Sequence, residues 1–467
     1  MRYKYITHYN AVFLGIMSCL FSSAGAYAEF LDIQGKKIAN EFIVTLSADS
    51  NSQTLPKDEF IAKGKTLAAQ YQGRVLRNWS HIGLLHMSMD ENDARRLALD
   101  PNVKYISPNV LESMASTKSS CEYGSHAYTT QVVASPQIID CQDPNPQVNG
   151  DLCYDNWGLD RIDQKSSPRN GLYSFSSTGN SVHVYVVDSG LDVNHAEFNG
   201  RIGNGHVAYN TEEAMGECSL WPHGTHVAGV IAGTTFGVAK QATIHPVRVL
   251  NYCAGINEKE SVIYAEAFNW ISENHISPAV VNMSINAASV HSSWITSSQF
   301  ADVVSRLAKD KNIITVNSAG NNKQHACGYT VSAGPDGDGV VVVGGINEFD
   351  EIWERNYSGG GSNYGSCVDV WAPAAHITSA WYDGYNPDLT CGLSGTSFAA
   401  AHVTGAIALY LQQHPEATAN EVRDAIINAA TTDALIGNLG HESPNRLVFT
   451  GNSDFGWLIP IITMLLL

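Results

Sequence analysis

The feature that most constrains this chain is an alternation, from residue 156 to about residue 450, of short apolar runs with longer segments of helical periodicity. The runs at 181–187, 243–250, 279–285, 313–317 and 340–344 are rich in Val and Ile. A strand that reads apolar without alternation is buried on both faces, which is the environment of a parallel sheet sandwiched between helices. The segments at 225–232, 258–274, 298–309, 397–414 and 419–430 supply those helices. The fold class this predicts is α/β, built on a parallel sheet.

The preceding part of the chain has a different order. Residues 41–46 read as a strand, 57–71 as a helix, 82–89 as a second strand, 90–99 as a helix opened by the cap residue Asp90, and 103–107 as a closing strand. An order like βαββαβ predicts a small α+β domain ahead of the sheet. Between the two lies a stretch with three Cys, many Ser, Asn, Asp and Pro, and little periodicity, which reads as a linker or a disulfide-pinned extension. The expected organisation is 1–28 signal peptide, 29–115 first domain, 116–155 Cys-containing linker, 156–450 main domain and 451–467 apolar tail.

Composition narrows the function classes. Lys and Arg number 27 against 45 Asp and Glu, a formal net charge of −18. Binding to nucleic acid needs clustered basic residues, so that class is excluded. Hydrophobic residues make up 44% of the chain, enough for a large core and incompatible with a mostly disordered protein. No internal apolar stretch reaches the ~18 residues of a membrane span. At the N-terminus, Arg2 and Lys4 precede a short apolar run at 11–21, and Ala26-Tyr27-Ala28 places small residues where a signal peptidase reads them. Secretion to an extracellular, oxidising compartment is the expectation. Nine Cys are present. With Cys19 inside the signal, eight remain, an even number that fits a disulfide framework, and no CxxC pair suggests zinc. Residues 457–467 are apolar except for Thr463. They are too short to span a bilayer. They loosely resemble a surface-sorting tail that lacks its basic end, which leaves cell-surface retention and a packed or trimmed tail as alternatives.

Three segments carry reactive side chains where open α/β sheets place their sites, at the carboxyl ends of strands. Val184-Tyr185-Val186-Val187-Asp188-Ser189-Gly190 puts an acid where an apolar strand stops. Pro222-His223-Gly224-Thr225-His226-Val227-Ala228-Gly229 puts a His at the start of a small-residue helix. Ser394-Gly395-Thr396-Ser397-Phe398-Ala399-Ala400 puts a Ser at the start of another. A hydroxyl is a weak nucleophile that needs an adjacent base, and the base needs an orienting acid. Each segment alone is weak evidence; together, in the chain order Asp, His, Ser, they are specific. No G-x-S-x-G elbow occurs, which argues against an α/β-hydrolase esterase.

On these motifs the chain resembles the subtilisin superfamily of serine proteases, in the branch of proteinase K and aqualysin. The resemblance runs from Trp157 to about Phe449. Trp157-Gly158-Leu159-Asp160-Arg161-Ile162-Asp163-Gln164 is similar to the start of that branch's catalytic domain, and Ser443-Pro444-Asn445-Arg446-Leu447 to its end. Residues 39–112, ending in Val103-Lys104-Tyr105-Ile106-Ser107-Pro108-Asn109, resemble the family's inhibitory propeptide. The resemblance implies a secreted serine endopeptidase made as a self-processing zymogen. It implies protein or peptide substrates, the propeptide as intramolecular inhibitor, and a monomer. Ser397 would attack the peptide carbonyl, His223 would relay the proton, and Asp188 would hold the His. Asn321, in Ala319-Gly320-Asn321-Asn322, would donate to the oxyanion. Gly320 and the stretch Ser284-Ile285-Asn286-Ala287 would line the substrate. His226, one turn from His223, reads as a packed helix residue.

The chain departs from the family pattern at named positions. Cys218-Ser219-Leu220-Trp221-Pro222 stands where the family carries Asp and Gly before the His. Phe398 and Ala401 replace Met and Pro after the nucleophile. Asn286 and Ala287 replace two Gly of the substrate-lining stretch, and Gly lets a substrate backbone come close. The resemblance further implies structural calcium. One site would use Asp369 and backbone oxygens from Asp338 to Val340. A second would use Asp160, Asp163, Gln164 and Asn170, with Asn170 standing where Asp is common. Calcium takes 6–8 oxygens, which such groups supply. The branch also pairs cysteines matching Cys218 with Cys253 and Cys327 with Cys367. Cys121, Cys141, Cys153 and Cys391 are left with three connectivities. The rival function class is a catalytically silent scaffold that binds protein.

Overall fold

The computed structural model describes residues 29–33, 35–47, 55–113, 138–140, 156–209, 216, 222–250, 258–286, 293–331, 339–355, 359–382 and 389–451. The linker apart from 138–140, the cysteines other than Cys327, Cys367 and Cys391, Asp338, Ala287 and residues 452–467 lie outside them.

The N-terminal unit holds β1 (Glu29–Phe30), β2 (Lys36–Leu46), a helix Lys57–Gln70, β3 (Arg74–Trp79), β4 (Leu84–Ser88), a helix Glu91–Leu97 and β5 (Val103–Ser113). The sheet order is β1-β5-β2-β4-β3, antiparallel except for the β1–β5 pair. β3 has no clear sequence signature because a bulge between Val75 and Arg77 breaks its alternation. Asp90 caps its helix by accepting from the Asn92 N–H at 2.8 Å. Phe42, Val44, Phe60, Leu67, Leu85, Met87, Leu97 and Ile106 form a core separate from that of the main domain.

After a short ribbon of β6 (Ile138–Asp140) with β7 (Leu172–Ser174), the main domain unfolds as the alternation predicts. Its strands are β8 (His183–Asp188), β9 (His206–Val207), β10 (Thr243–Arg248), β11 (Glu258–Glu260), β12 (Ala279–Met283), β13 (Ile314–Ser318), β14 (Val340–Ile346), β15 (Val370–Pro373), β16 (Ile377–Ala380), β17 (Thr390–Leu393), β18 (Thr431–Thr432) and β19 (Arg446–Leu447). Nine of them form one sheet in the order β18-β19-β15-β14-β13-β12-β8-β10-β9, parallel except for β18 against β19. Every residue of β12, β13 and β14 is buried, which accounts for their unbroken apolar runs. Helices His223–Ala232 and Thr396–Gln413 cover one face; Val262–Asn274 and Ser298–Lys311 cover the other. In Ser298–Lys311 the buried residues Phe300, Val303, Val304, Leu307 and Ala308 recur at helical spacing. Ser297 caps it at one end, and Asn312 closes it in a left-handed conformation at the other.

One expected helix is corrected. Residues 258–260 are not its first turn but the strand β11, and the helix begins at Val262. The reason is tertiary. β5 of the N-terminal unit presents a sheet edge, and β11 pairs with it antiparallel, Glu258 opposite Ser113 and Glu260 opposite Leu111.

Candidate active site

Asp188 is the last residue of β8 and is fully buried. The chain turns at once through Gly190, whose φ of 123° lies in the region that favours glycine. His223 opens the helix His223–Ala232, and Gly224 lets that helix reach the end of β8. A Cβ on Gly224 would lie 2.2 Å from the Gly190 carbonyl oxygen. The Gly224 N–H donates to Ser189 Oγ at 2.9 Å and fixes the approach. His223 Nδ1 then lies 2.8 and 2.9 Å from the two oxygens of Asp188. Both partners are acceptors, so Nδ1 carries the proton and Nε2 is left as the basic nitrogen.

Ser397 is the second residue of the helix Thr396–Gln413, where the positive end of the helix dipole favours a developing negative charge. Its Oγ makes a long contact, 3.4 Å, with the Ser284 carbonyl oxygen. Its backbone is held more firmly. The Ser284 hydroxyl donates to the Ser397 carbonyl at 2.9 Å, and Asn282 Nδ2 donates to Ser284 Oγ at 3.0 Å. Thr404, two turns down the same helix, donates to Asn282 Oδ1 at 2.9 Å. Asn321 meets this helix from the other side. Its Oδ1 accepts from Thr396 N–H at 2.9 Å and Thr396 Oγ1 at 2.8 Å. That fixes the amide so that Nδ2 is the donor edge turned toward the Ser397 loop; a Cβ on Gly395 would sit 3.6 Å from it. Gly320 is needed at φ 102°, where a Cβ would come within 2.4 Å of Asn363 Nδ2.

The structure thus brings Asp188, His223, Ser397, Asn321, Ser284, Ile285, Asn286 and Gly320 to the carboxyl ends of β8, β12 and β13. Asn286 does not face open space. Its Nδ2 donates to the Ser318 carbonyl, and its Oδ1 accepts from Ser318 Oγ at 2.6 Å. His226 is fully buried, and its Nε2 reaches the carbonyls of Ile377 and Cys391 at 3.0 and 2.9 Å. Burial lowers its pKa to about 3, so it is a neutral packing residue. Phe398 packs between the two imidazoles, 5.8 Å from the ring of His223 and 4.4 Å from that of His226. Cys327 and Cys367 are disulfide-bonded to each other. Cys391 is also disulfide-bonded.

Sequence reasoning missed Asn282, Asn317 and Thr396. Asn317 Nδ2 donates to the Met283 and Ile285 carbonyls at 2.7 and 3.0 Å, locking β13 to the segment beyond β12. The available signal was a lone amide inside an apolar run, in Val281-Asn282-Met283 and Val316-Asn317-Ser318. A buried amide persists only when its hydrogen bonds are met, so such a residue marks a tie.

The two expected calcium sites differ. Asp369 already has donors on both oxygens. Its Oδ1 accepts from Arg423 Nη2 and its Oδ2 from the Val342 N–H at 2.8 Å. The same guanidinium donates through Nε to the Val340 carbonyl at 3.0 Å. The positive charge among these oxygens is an arginine; Asp338 lies outside the described residues. Asp160 and Asp163 are a different case. Asp160 accepts from the N–H groups of Asn170 and Gly171 at 3.2 and 3.1 Å. Gln164 Oε1 also accepts from Asn170 N–H, at 3.2 Å. Asp163 Oδ2 accepts from Ser174 N–H, but Oδ1 is buried without a partner. Burial, with the nearby Asp160 charge, pushes Asp163 up to about 7. A buried carboxylate oxygen with no donor suits a bound cation.

A model of the Subtilase family (Peptidase_S8) matches residues 179–457, more than half of the chain. The chain belongs to the subtilase family. Among curated relatives, the extracellular serine proteinase of Thermus sp. (strain Rt41A) is 42% identical over 297 residues, covering 63% of this chain and 66% of that protein. The alkaline serine exoprotease A of Vibrio alginolyticus is 35% identical over 308 residues, covering 66% of this chain and 52% of that one. The match thus spans two thirds or less of these two relatives' own length. Among solved structures, a cold adapted subtilisin-like serine proteinase is 32% identical with a TM-score of 0.54, covering 64% of this chain and 98% of that one. Fervidolysin from Fervidobacterium pennivorans, at 21% identity and a TM-score of 0.59, covers 91% of this chain and 62% of its own; it shares the fold.

Proposed function

We propose that this subtilase is a secreted serine endopeptidase made as a self-processing zymogen. The observation that carries the reading is the buried Asp188–His223 pair at 2.8 Å beside Ser397 at a helix N-terminus, with the Asn321 amide turned toward the same loop. Ser397 Oγ attacks the peptide carbonyl carbon as its proton passes to His223 Nε2. The C–N bond then breaks, and His223 gives that proton to the leaving amine. Water repeats the sequence on the acyl-enzyme and releases the acid. Asn321 Nδ2 and the Ser397 N–H receive the oxyanion, and one such donor is worth about 3–4 kcal/mol of barrier. Asp188 stabilises the imidazolium. The relative named an extracellular serine proteinase supports secretion. The silent-scaffold alternative leaves this constellation without a use.

The N-terminal unit is, in this reading, the propeptide and inhibitor. Its β5 runs along β11 as an added strand, a mode by which extended peptides bind sheet edges. A structural calcium ion at Asp160 and Asp163, with Gln164 and Asn170 beside them, fits the unpartnered Asp163 oxygen; when bound it would supply charge neutralisation and no chemistry. A fluorophosphonate probe tests the central reading. Processed wild-type protein should label stoichiometrically and Ser397→Ala should not; absence of labelling of the processed wild type contradicts the reading.

A further inference from the structure

The loop that carries Asn321 leaves β13 at Ala319 and runs through Gln324. Ala319 and Gly320 are buried, whereas Asn322, Lys323 and Gln324 are exposed. Packing therefore fixes the start of this loop but not its far side. The far side is held by hydrogen bonds to the segment Gly361 to Tyr364, between β14 and β15. The two segments pair in parallel, Asn322 opposite Gly361 and His325 opposite Tyr364. The Gly361 N–H donates to the Asn321 carbonyl at 3.2 Å, and the Lys323 N–H donates to the Gly361 carbonyl at 3.0 Å.

One side chain of this segment, Asn363, is fully buried against the loop. Its Nδ2 donates to the Ala319 carbonyl at 2.9 Å, and its backbone N–H donates to the Gly320 carbonyl at 2.8 Å. Its Oδ1 accepts from the Asn322 N–H at 3.0 Å and from the Gln324 N–H at 2.9 Å. Asn363 thus grips the chain on both sides of Asn321. These partners allow one orientation of the amide, because its oxygen faces two N–H groups and its nitrogen a carbonyl.

We propose that Asn363 is a positioning residue for the oxyanion donor. The inference rests on the peptidase reading above and deepens it. Thr396 orients the Asn321 side chain, and Asn363 fixes the backbone from which that side chain extends. A donor aimed at developing charge lowers the barrier because it is already in place; one that must be brought back into place as the charge forms loses that advantage. Removing such a donor outright costs about 10²–10³ in kcat, which is the ceiling for Asn363. The oxyanion forms after substrate binds, so the loss falls on kcat and not on KM.

The test is a double-mutant cycle on a peptide anilide with wild type, Asn363→Ala, Asn321→Ala and the double variant. Each is used as processed protein, its sites counted by fluorophosphonate labelling carried to completion. Where a variant matures slowly, the first-order rate of its own processing reports the same step. Asn363→Ala should lower kcat by about tenfold or more with KM changed by less than about threefold. In the Asn321→Ala background the same substitution should lower kcat by less than about threefold, because the donor it positions is gone. Should Asn363→Ala fail to fold, Asn363→Asp takes its place with the same expected coupling. It keeps the shape and both N–H contacts but sets an oxygen against the Ala319 carbonyl. An equal loss in both backgrounds, a change in KM alone, or an unchanged kcat overturns the proposal. A processed wild type that fails to label overturns the peptidase reading itself, which keeps the two failures distinct.

Discussion

Two buried interfaces in this molecule differ in how many polar contacts they hold. Inside the main domain, β12, β13 and β14 meet their covering helices through Val280, Ile314, Val316, Val341, Phe300 and Leu307, all buried to 0% exposure. Between the N-terminal unit and the main domain the buried contact is mixed: Ile43, Trp79, Ile82, Leu84 and Val110 join the main domain's apolar cluster, and polar groups meet beside them. Trp79 Nε1 donates to Glu266 at 2.8 Å, and Arg77 joins the same carboxylate at 3.3 Å. Asn109 Nδ2 bridges Glu41 and Glu260 at 3.0 and 3.2 Å. Gln299, fully buried in the helix Ser298–Lys311, accepts from Ser107 Oγ at 2.6 Å and Trp294 Nε1 at 2.8 Å. It donates to Thr45 Oγ1 at 2.9 Å and to the Ile43 carbonyl at 3.1 Å. Apolar surface has no partner but other apolar surface, whereas each of these polar groups can be rehydrated if the surfaces part. In the proposed zymogen the polar share of the second interface is what lets the two surfaces part after cleavage.

The contrast can be broken by mutation. The largest effect is expected in the core. Ile314→Ala should cost about 3 kcal/mol, seen as a lower urea midpoint in precursor and processed protein alike. Gln299→Ala should cost about 2 kcal/mol in the precursor, because Ser107, Thr45 and the Ile43 carbonyl lose their partner. The processed protein, where Gln299 faces water, should change by less than about 0.5 kcal/mol. Equal losses in both forms would remove the distinction between the interfaces.

Acidity acts with opposite sign on His86 of the N-terminal unit and Asp163 of the main domain. His86 in β4 contacts Glu41 at 2.8 Å and stacks on Trp79, and burial lowers its pKa below the ordinary 6.5. Its neutral form is favoured on folding, so stability is full above that value and falls as the pH drops below it. Asp163 in the main domain is raised from 3.8 to about 7. Its contribution is present below pH 3.8 and is lost as the pH rises through about 7. The buried His226, His245 and His402, lowered to about 3, 4 and 4, add an acid limb to the main domain as well. The Asp163 effect is therefore read as a difference. In chelator, the melting temperature of processed protein should fall between pH 5 and 8 by more than that of Asp163→Asn, and millimolar calcium should abolish that difference. An unchanged difference with calcium would remove the ion from Asp160 and Asp163.

How much was legible in the sequence follows the same division. The buried strands and the helices of the main domain are written locally, in unbroken Val and Ile runs and in apolar residues at helical spacing. The Asp188, His223 and Ser397 segments were legible because strand ends and helix starts leave short motifs. What was not legible depends on a distant partner. Residues 258–260 are helical in character and become a strand because β5 offers them an edge. The pairing of Asp369 with Arg423, 54 residues away, leaves no local mark in the sequence. Asn286 read only as a missing glycine until Ser318 was found at its side chain.

The intact mass of the secreted wild-type protein beside Ser397→Ala tests the account most directly. The account predicts that wild type loses the N-terminal unit through β5 while the mutant, freed only of its signal segment, keeps it. If both proteins retain the unit under calcium and mild heat, or if the mutant is processed as fast as wild type, Ser397 does not perform the cleavage and the self-processing account is contradicted.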